Sequence, residues 1–311
     1  MKHLSTLREK GHVEVGLQRQ SSPIKIYYEM HGNGPEKVLL VMGLSSACSA
    51  WDLQTKYLAE TDKYTVIVFD NRGMGFSDSP IGIYSTSQMA VDALELLDHF
   101  KWDSNVHLVG ISMGGMISLE MADAEPLRFQ SLTLTSTTSK RNIPTWAAIS
   151  TLSKIALFYR NPKDQLNAAI DLIFPPDWLS QKPVSTSEHA TNRELAAHGI
   201  VSHFARSRRQ PLHGNIGQAL ACLCHNVSDG RLLNIRASGL PIMIVTGTYD
   251  NLVRPEYSYH MKKVFAEDAR FELFEGSGHA IPEEQPDRYN NLLVDHFTTA
   301  NNNNKRQTAK L

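Results

Sequence analysis

The stretch LVGISMGGM, residues 108–116, joins an apolar run to the start of a helix with no loop between them. The run VHLVGI predicts a strand buried on both faces, and MGGMISLEMA predicts a helix. A direct junction of this kind bends the chain sharply, so small residues are needed two positions before and after the bend. Gly110 and Gly114 occupy those positions on either side of Ser112. The pattern therefore predicts a buried strand and a helix with a serine at the bend between them.

Further apolar runs at regular intervals indicate that this strand belongs to a larger sheet. Helical segments alternate with the runs, which favours the α/β class with a mostly parallel, doubly wound sheet. Two stretches of alternating polarity, 13–19 and 24–30, flank a Ser-Ser-Pro turn and predict an antiparallel hairpin near the N-terminus. The other predicted strands occupy residues 38–43, 64–70, 131–137, 240–250 and 270–276.

The alternation of strands and helices stops in the region 139–233. Apolar positions there follow helical spacing, and no strand is predicted. We therefore expect residues 139–233 to form a helical cap inserted into an α/β core, which comprises residues 1–138 and 234–299. The tail 300–311, ANNNNKRQTAKL, is polar and low in complexity, and is predicted to be disordered.

The composition of the chain argues against several classes of protein. A net charge of −1 over 311 residues provides no long-range attraction to nucleic acid or an anionic membrane. The sequence has neither an apolar run of the roughly 20 residues that span a bilayer nor the apolar segment of a secretory signal. Three cysteines, an odd number, indicate a reducing compartment. No HExxH motif, Walker loop or GxGxxG turn is present, so neither a metal nor an organic cofactor is expected.

Ser112 requires a base and an orienting carboxylate to act as a nucleophile, because a serine hydroxyl is a poor nucleophile at neutral pH. His279 lies in a glycine-flanked loop between a predicted strand and a helix. Asp250 ends the strand IMIVTGTYD, which brings a carboxylate to the same edge of the sheet. The order Ser112, Asp250, His279 is that of an α/β-hydrolase triad. The alternatives are a glycine-rich turn with a solvated serine, and a turn-capping role for the aspartate.

The chain resembles α/β-hydrolase-fold enzymes of the single-domain esterase, lipase and lactonase type. The matching stretches are VMGLSS, FDNRGMGFSD, LVGISMGGM, TGTYDNLV and GSGHAIPEEQP, which follow the family's order across residues 38–290. The resemblance implies an oxyanion hole formed by the backbone N–H groups of Leu44 and Met113. Met42 departs from the pattern, because many relatives have histidine there, so this loop must be supported differently. Arg72, in the second stretch, is interpreted as an ion-pair brace.

The resemblance implies an esterase-like or lipase-like serine hydrolase that cleaves a carboxylic ester through an acyl-enzyme. An acyl-CoA thioesterase or an acyltransferase with the same triad remains open, as does a hydrolase-fold receptor for a small ligand. The apolar and aromatic content of the cap, including Trp146, Leu152 and Phe174, suits a substrate with an apolar acyl or alkyl group. The same residues can instead simply pack the cap onto the core.

The chain ends in Ala309-Lys310-Leu311, a variant of the S-K-L tripeptide that a peroxisomal import receptor recognises. We therefore expect a peroxisomal location and this receptor as a partner. If the tripeptide is a chance ending, the remaining features indicate the cytoplasm. A peroxisomal location would favour acyl-lipid substrates.

Overall fold

The structure is a computed structural model, and it describes residues 4–17, 23–143, 145–184 and 188–308. Within these ranges, eight strands form one sheet. The strands are β1 (Leu7–Val15), β2 (Ile24–His31), β3 (Glu36–Val41), β4 (Tyr64–Phe69), β5 (Val106–Ile111), β6 (Phe129–Thr135), β7 (Ile242–Gly247) and β8 (Ala269–Phe274).

The order of the strands across the sheet is β1-β2-β4-β3-β5-β6-β7-β8. β2 pairs antiparallel with both β1 and β4, whereas every following pair is parallel. The mostly parallel sheet and its N-terminal hairpin, both predicted from the sequence, are therefore confirmed. Parallel strands end at the same edge of the sheet, so the loops that follow them lie close together.

Helices cover both faces of the sheet and fill the long connection between β6 and β7. Among the described residues, no helix is both long enough and apolar enough to cross a membrane. The helices are α1 (Asp52–Ala59), α2 (Thr86–His99), α3 (Met113–Ala124), α4 (Trp146–Leu157), α5 (Pro162–Ile173), α6 (Pro176–Ser180), α7 (Asn192–Ala205), α8 (Leu212–Cys224), α9 (Asp229–Ala237), α10 (Pro255–Phe265), α11 (Ile281–Glu284) and α12 (Pro286–Thr308).

Strand β3 illustrates why the sheet needs continuous apolar runs. Leu39 belongs to the core shared with α2, α3, α9 and α10, whereas Val38 and Leu40 belong to the core shared with α1 and α12. All three side chains are fully buried. Because successive side chains of a strand point to opposite faces, a strand between two helical layers must be apolar at every position.

The cap consists of the helices α4 to α8, and the described residues between 139 and 233 contain no strand. Helices α5, α6 and α7 share a small apolar core that includes Ile170, Phe174 and Leu179. The predicted boundary at residue 233 falls inside α9, which packs against α3 and α10. The core therefore resumes at α9 and not at residue 234.

The prediction that the tail 300–311 is disordered is wrong for residues 300–308, because α12 continues to Thr308. The first half of this helix is anchored by buried residues at helical spacing, from Tyr289 to Ala300. Extending an existing helix requires no new nucleation, so a run of weak helix formers such as asparagine can follow it. Residues 309–311 lie outside the described residues, so their recognition by an import receptor stays a prediction.

Candidate active site

Ser112 stands at the junction of β5 and α3 in a strained backbone conformation, with φ 55° and ψ −123°. A residue other than glycine in such a region costs about 1–3 kcal/mol, and it persists only where its surroundings hold it. Strand β6 and the residues after it provide that support. The Ser112 N–H donates to the Thr135 carbonyl at 3.0 Å, and the Thr137 hydroxyl donates to the Ser112 carbonyl at 2.7 Å.

The two glycines of the bend allow strand and helix to approach each other closely. A Cβ atom added to Gly110 would lie 2.4 Å from the carbonyl oxygen of Gly114 and 2.4 Å from the hydroxyl of Ser118. A Cβ atom added to Gly114 would lie 2.0 Å from the carbonyl oxygen of Val41. Contacts this short are not tolerated, so the geometry of the bend requires glycine at both positions.

His279 and Asp250 are brought together by the loops that follow β8 and β7. The Nδ1–H of His279 donates to Oδ2 of Asp250 at 2.8 Å. The other oxygen of Asp250 accepts hydrogen bonds of 2.9 Å from the backbone N–H groups of Leu252 and Val253. Because Nδ1 carries the proton, Nε2 of His279 is left free to accept one.

Two opposing effects set the pKa of His279. Burial disfavours the imidazolium, but the charge of Asp250, its hydrogen bond and the charge of Glu284 together outweigh burial and raise the pKa of His279 above its ordinary value. A base with a raised pKa accepts a proton more readily, and the carboxylate stabilises the imidazolium that results.

The loop that carries His279 is fixed by Glu284, a residue that the sequence reasoning missed. Both carboxylate oxygens of Glu284 lie within hydrogen-bond distance of the Gly278 N–H, at 3.1 and 2.9 Å. Burial raises the pKa of Glu284 to about 7, and the bond from Gly278 opposes this shift. The only available signal was its position five residues after His279 in the quoted loop.

The two residues predicted to supply oxyanion donors are Met113, directly after Ser112, and Leu44, in a loop close to Ser112. Met113 is the first residue of α3, and the first N–H groups of a helix have no partner within it. Leu44 follows Gly43, where an added Cβ atom would lie 3.6 Å from the hydroxyl oxygen of Ser112. Met113 and the loop that carries Leu44 therefore both lie close to Ser112, and their role as oxyanion donors stays a prediction.

The loop between β4 and α2 holds the loop that carries Leu44 in place. The side-chain amide of Asn71 donates to the Met42 carbonyl at 2.8 Å, at the position where many relatives have histidine. Arg72 forms two hydrogen bonds of 2.5 Å to the buried carboxylate of Asp92. The interpretation of Arg72 as an ion-pair brace is therefore confirmed. Asn71 was overlooked, although it lies within the FDNRGMGFSD stretch.

A cavity of about 720 Å³ lies between the carboxyl edge of the sheet and the cap, and both Ser112 and His279 line it. Its wall is mainly apolar. The cap contributes Leu152, Ile155, Leu172, Phe174 and Phe204, and the core contributes Trp51 and Met116. Of the cap residues named from the sequence, Leu152 and Phe174 line the cavity, whereas Trp146 is 82% exposed.

A family model described as the α/β-hydrolase fold matches residues 37–286. The chain belongs to the α/β-hydrolase family. RutD of Azorhizobium caulinodans, which is named as a carbamate hydrolase, is 28% identical over 86% of this α/β hydrolase and 93% of RutD. An enol-lactonase of Acinetobacter baylyi, 3-oxoadipate enol-lactonase 2, is 33% identical over 38% of the chain and 43% of its own length. A thermophilic esterase from Thermogutta terrifontis has the same fold, with a TM-score of 0.74, 23% identity and coverage of 93% and 99% of the two chains.

Besides His279, a carboxyl group and a second imidazole, those of Glu283 and His203, interrupt the apolar wall of the cavity in this α/β hydrolase. Burial raises the pKa of Glu283 to about 7. Burial, reinforced by the nearby charge of Arg206, lowers the pKa of His203 to about 4. Neither residue was singled out from the sequence. Only the folded cap brings His203 to the cavity, whereas Glu283 lies within the quoted stretch GSGHAIPEEQP. Within the part of this α/β hydrolase that the structure describes, no group of three or more His, Cys, Asp or Glu side chains is arranged to hold a metal ion.

Proposed function

We propose that this α/β hydrolase is a serine hydrolase that cleaves carboxylic esters through an acyl-enzyme. The observation that carries the proposal is that Ser112, in a strained bend, lines the same cavity as His279, whose Nδ1 lies 2.8 Å from Asp250. Strain of this kind is retained where it serves a function, and here it places a hydroxyl group at the start of a helix.

The reaction follows from the roles of these groups. Nε2 of His279 takes the proton from the Ser112 hydroxyl as its oxygen attacks the ester carbonyl. The N–H groups of Leu44 and Met113 stabilise the oxyanion that forms. The tetrahedral intermediate collapses, the C–O bond to the alcohol breaks, and His279 returns the proton to the departing alkoxide. Water then hydrolyses the acyl-enzyme by the same sequence and restores Ser112.

The cavity supports a substrate with an apolar acyl or alkyl group of medium length. Its volume of about 720 Å³ lies within the range of small-molecule sites, and its wall is mainly apolar. The relatives named as a carbamate hydrolase and an enol-lactonase support hydrolysis in general. The apolar wall favours an apolar ester over a small polar carbamate, because burial of apolar surface would contribute to binding.

The proposal is tested by hydrolysis of p-nitrophenyl esters from acetyl to palmitoyl. We expect turnover by the wild type, with a maximum at intermediate chain length. The Ser112→Ala variant should lose activity on the order of 10⁴-fold or more. Ser207→Ala is the matched control, because Ser207 also lines the cavity but lies on the cap. Retention of full activity by a folded Ser112→Ala variant would exclude the proposed mechanism.

Two further measurements separate the alternatives. Acyl thioesters compared with the matching oxygen esters distinguish a thioesterase from an esterase by the ratio of kcat/KM. A folded wild type that cleaves neither class, but binds a small apolar ligand with a large increase in Tm, would be a receptor.

A further inference from the structure

The loop that carries Leu44 is held in place by a helix of the cap. The backbone N–H of Ser45 donates to Oε1 of Gln218 at 2.9 Å, and the side-chain amide of Asn215 donates to the Ser45 hydroxyl at 2.7 Å. Gln218 and Asn215 both belong to α8. Ser45 has a positive φ of 56°, a conformation that a residue other than glycine keeps only where neighbouring groups hold it.

Gln218 is well suited to fix this loop, because its side-chain amide is fully buried and can adopt only one orientation. Its Nε2 donates to the Arg72 carbonyl at 2.8 Å. A carbonyl can only accept and the Ser45 N–H can only donate, so Nε2 must face Arg72 and Oε1 must face Ser45. A second cap residue, Gln210, donates to the same Oε1 at 3.1 Å.

These bonds connect the loop to the rigid part of the core. The backbone of Arg72 is fixed in turn, because its guanidinium is bound to Asp92 in α2. On the other side of Leu44, the Met42 carbonyl is held by Asn71. The chain is therefore held at Met42, two residues before Leu44, and at Ser45, one residue after it. These two contacts fix the peptide group that carries the Leu44 N–H.

We propose that Gln218 is a positioning residue that holds the Leu44 N–H in the oxyanion hole and makes that hole dependent on the position of the cap. This inference rests on the proposed function. An oxyanion donor is effective only where it meets the oxygen of the transition state, and a displacement of about 1 Å can reduce the rate 10²-fold. Movement of α8 would therefore change the rate of the chemical step without removing any group that touches the substrate.

The test compares Gln218→Met, Gln218→Glu and wild type on the p-nitrophenyl ester that the wild type cleaves fastest. Methionine keeps the length of the side chain but removes its hydrogen bonds with Ser45, Gln210 and Arg72. We therefore expect kcat to fall on the order of 10- to 100-fold with KM little changed. Glutamate keeps an acceptor for the Ser45 N–H, so its kcat should lie between the two. Affinity for a trifluoromethyl ketone, which forms an oxyanion on Ser112, should fall in parallel with kcat/KM.

Rates are expressed per active site, counted by titration with a fluorophosphonate that labels Ser112. The matched control is Gln165→Met, because Gln165 lies in the cap helix α5 and, among the described residues, its side chain donates only to the Tyr159 carbonyl. It should leave kcat unchanged.

An unchanged kcat per site in Gln218→Met, or a loss that appears only as fewer titratable sites, would overturn the positioning role. Failure of the proposed function looks different. In that case the wild type itself would neither cleave esters nor react with the fluorophosphonate, and the loop would have no oxyanion to bind.

Discussion

Asp250 divides its carboxylate between His279 and its own turn. Oδ2 lies 2.8 Å from Nδ1 of His279, while Oδ1 accepts from the N–H groups of Leu252 and Val253. The turn-capping role considered for this residue and its contact with the histidine are thus combined in one side chain. This division explains why the carboxylate is held in a single orientation, and it makes the two roles separable by mutation.

Asp250→Asn should abolish most activity while the fold is retained. Its amide oxygen can still cap the turn, so its NH₂ group would face Nδ1 of His279. Nδ1 would then have to accept, the proton would move to Nε2, and His279 could no longer take a proton from Ser112. We expect kcat to fall on the order of 10⁴-fold with little change in Tm. Asp287→Asn, at an exposed position of α12, is the control. A loss below about 10-fold would contradict the proposed role.

The pH dependence of ester hydrolysis should reflect the raised pKa of His279. The proposed reaction requires neutral His279, so kcat/KM should increase with pH and reach half its maximum above about 6.5, the ordinary pKa of histidine. The charge of Asp250 and its hydrogen bond are the main causes that oppose burial and raise this pKa, so Asp250→Asn should lower it. The titration of the His279 ring, followed by NMR in both proteins and assigned with His279→Gln, provides the measurement. A lower pKa in the wild type than in the variant would be inconsistent with this account.

Glu283 should make stability depend on pH in the direction opposite to that of a salt-bridged acid. Burial raises its pKa from 4.5 to about 7, so between these values the folded protein binds a proton that the unfolded chain releases. The free energy of unfolding therefore decreases as pH rises through this window. Glu283→Gln removes this effect and should be more stable than wild type at pH 8 by about 1–3 kcal/mol, with a smaller difference near pH 5.

Thermal unfolding at both pH values measures the effect of Glu283. Glu267→Gln, which changes an exposed carboxylate just before the start of β8, at the end of the strand opposite the cavity, serves as the control. Equal stabilities of wild type and Glu283→Gln at pH 8 would show that the carboxyl group of Glu283 is well solvated in the folded protein.

The sequence was sufficient to predict where Ser112, Asp250 and His279 lie, because their positions depend on local structure; their catalytic roles stay predictions. Ser112 directly follows a strand, Asp250 lies three residues beyond the end of β7, and His279 lies in the loop after β8. The carboxyl ends of parallel strands meet at one edge, so the fold alone brings these three loops together. The burial of the apolar runs that fill both cores could also be predicted, because it follows from the periodicity of a strand.

The contacts that could not be predicted are those that depend on how the cap packs. Gln218 and Ser45 are separated by 173 residues, and no pattern in the sequence relates them. The prediction of disorder for residues 300–308 failed for a different reason. Its composition indicates disorder, but the helix before it is anchored in the core and propagates through residues with weak helical propensity.

Close packing of α8 against the core provides the last prediction. A Cβ atom at Gly217 would lie 2.7 Å from the ring of Tyr84, which is almost fully buried and cannot move aside without disturbing the core. Gly217→Ala should therefore reduce stability by about 1–3 kcal/mol and displace α8. Because α8 carries Gln218, kcat per active site should fall as well.

Gly199→Ala is the matched control for this substitution, since Gly199 is also in a cap helix but an added Cβ atom would have no neighbour within 4 Å. This variant should gain about 0.5–1 kcal/mol of stability and keep the wild-type kcat. Thermal unfolding and kcat per titrated site measure both variants. If Gly217→Ala lost stability but kept its kcat, the position of α8 would be unimportant for the oxyanion loop, and the proposed coupling between cap and catalysis would have to be abandoned.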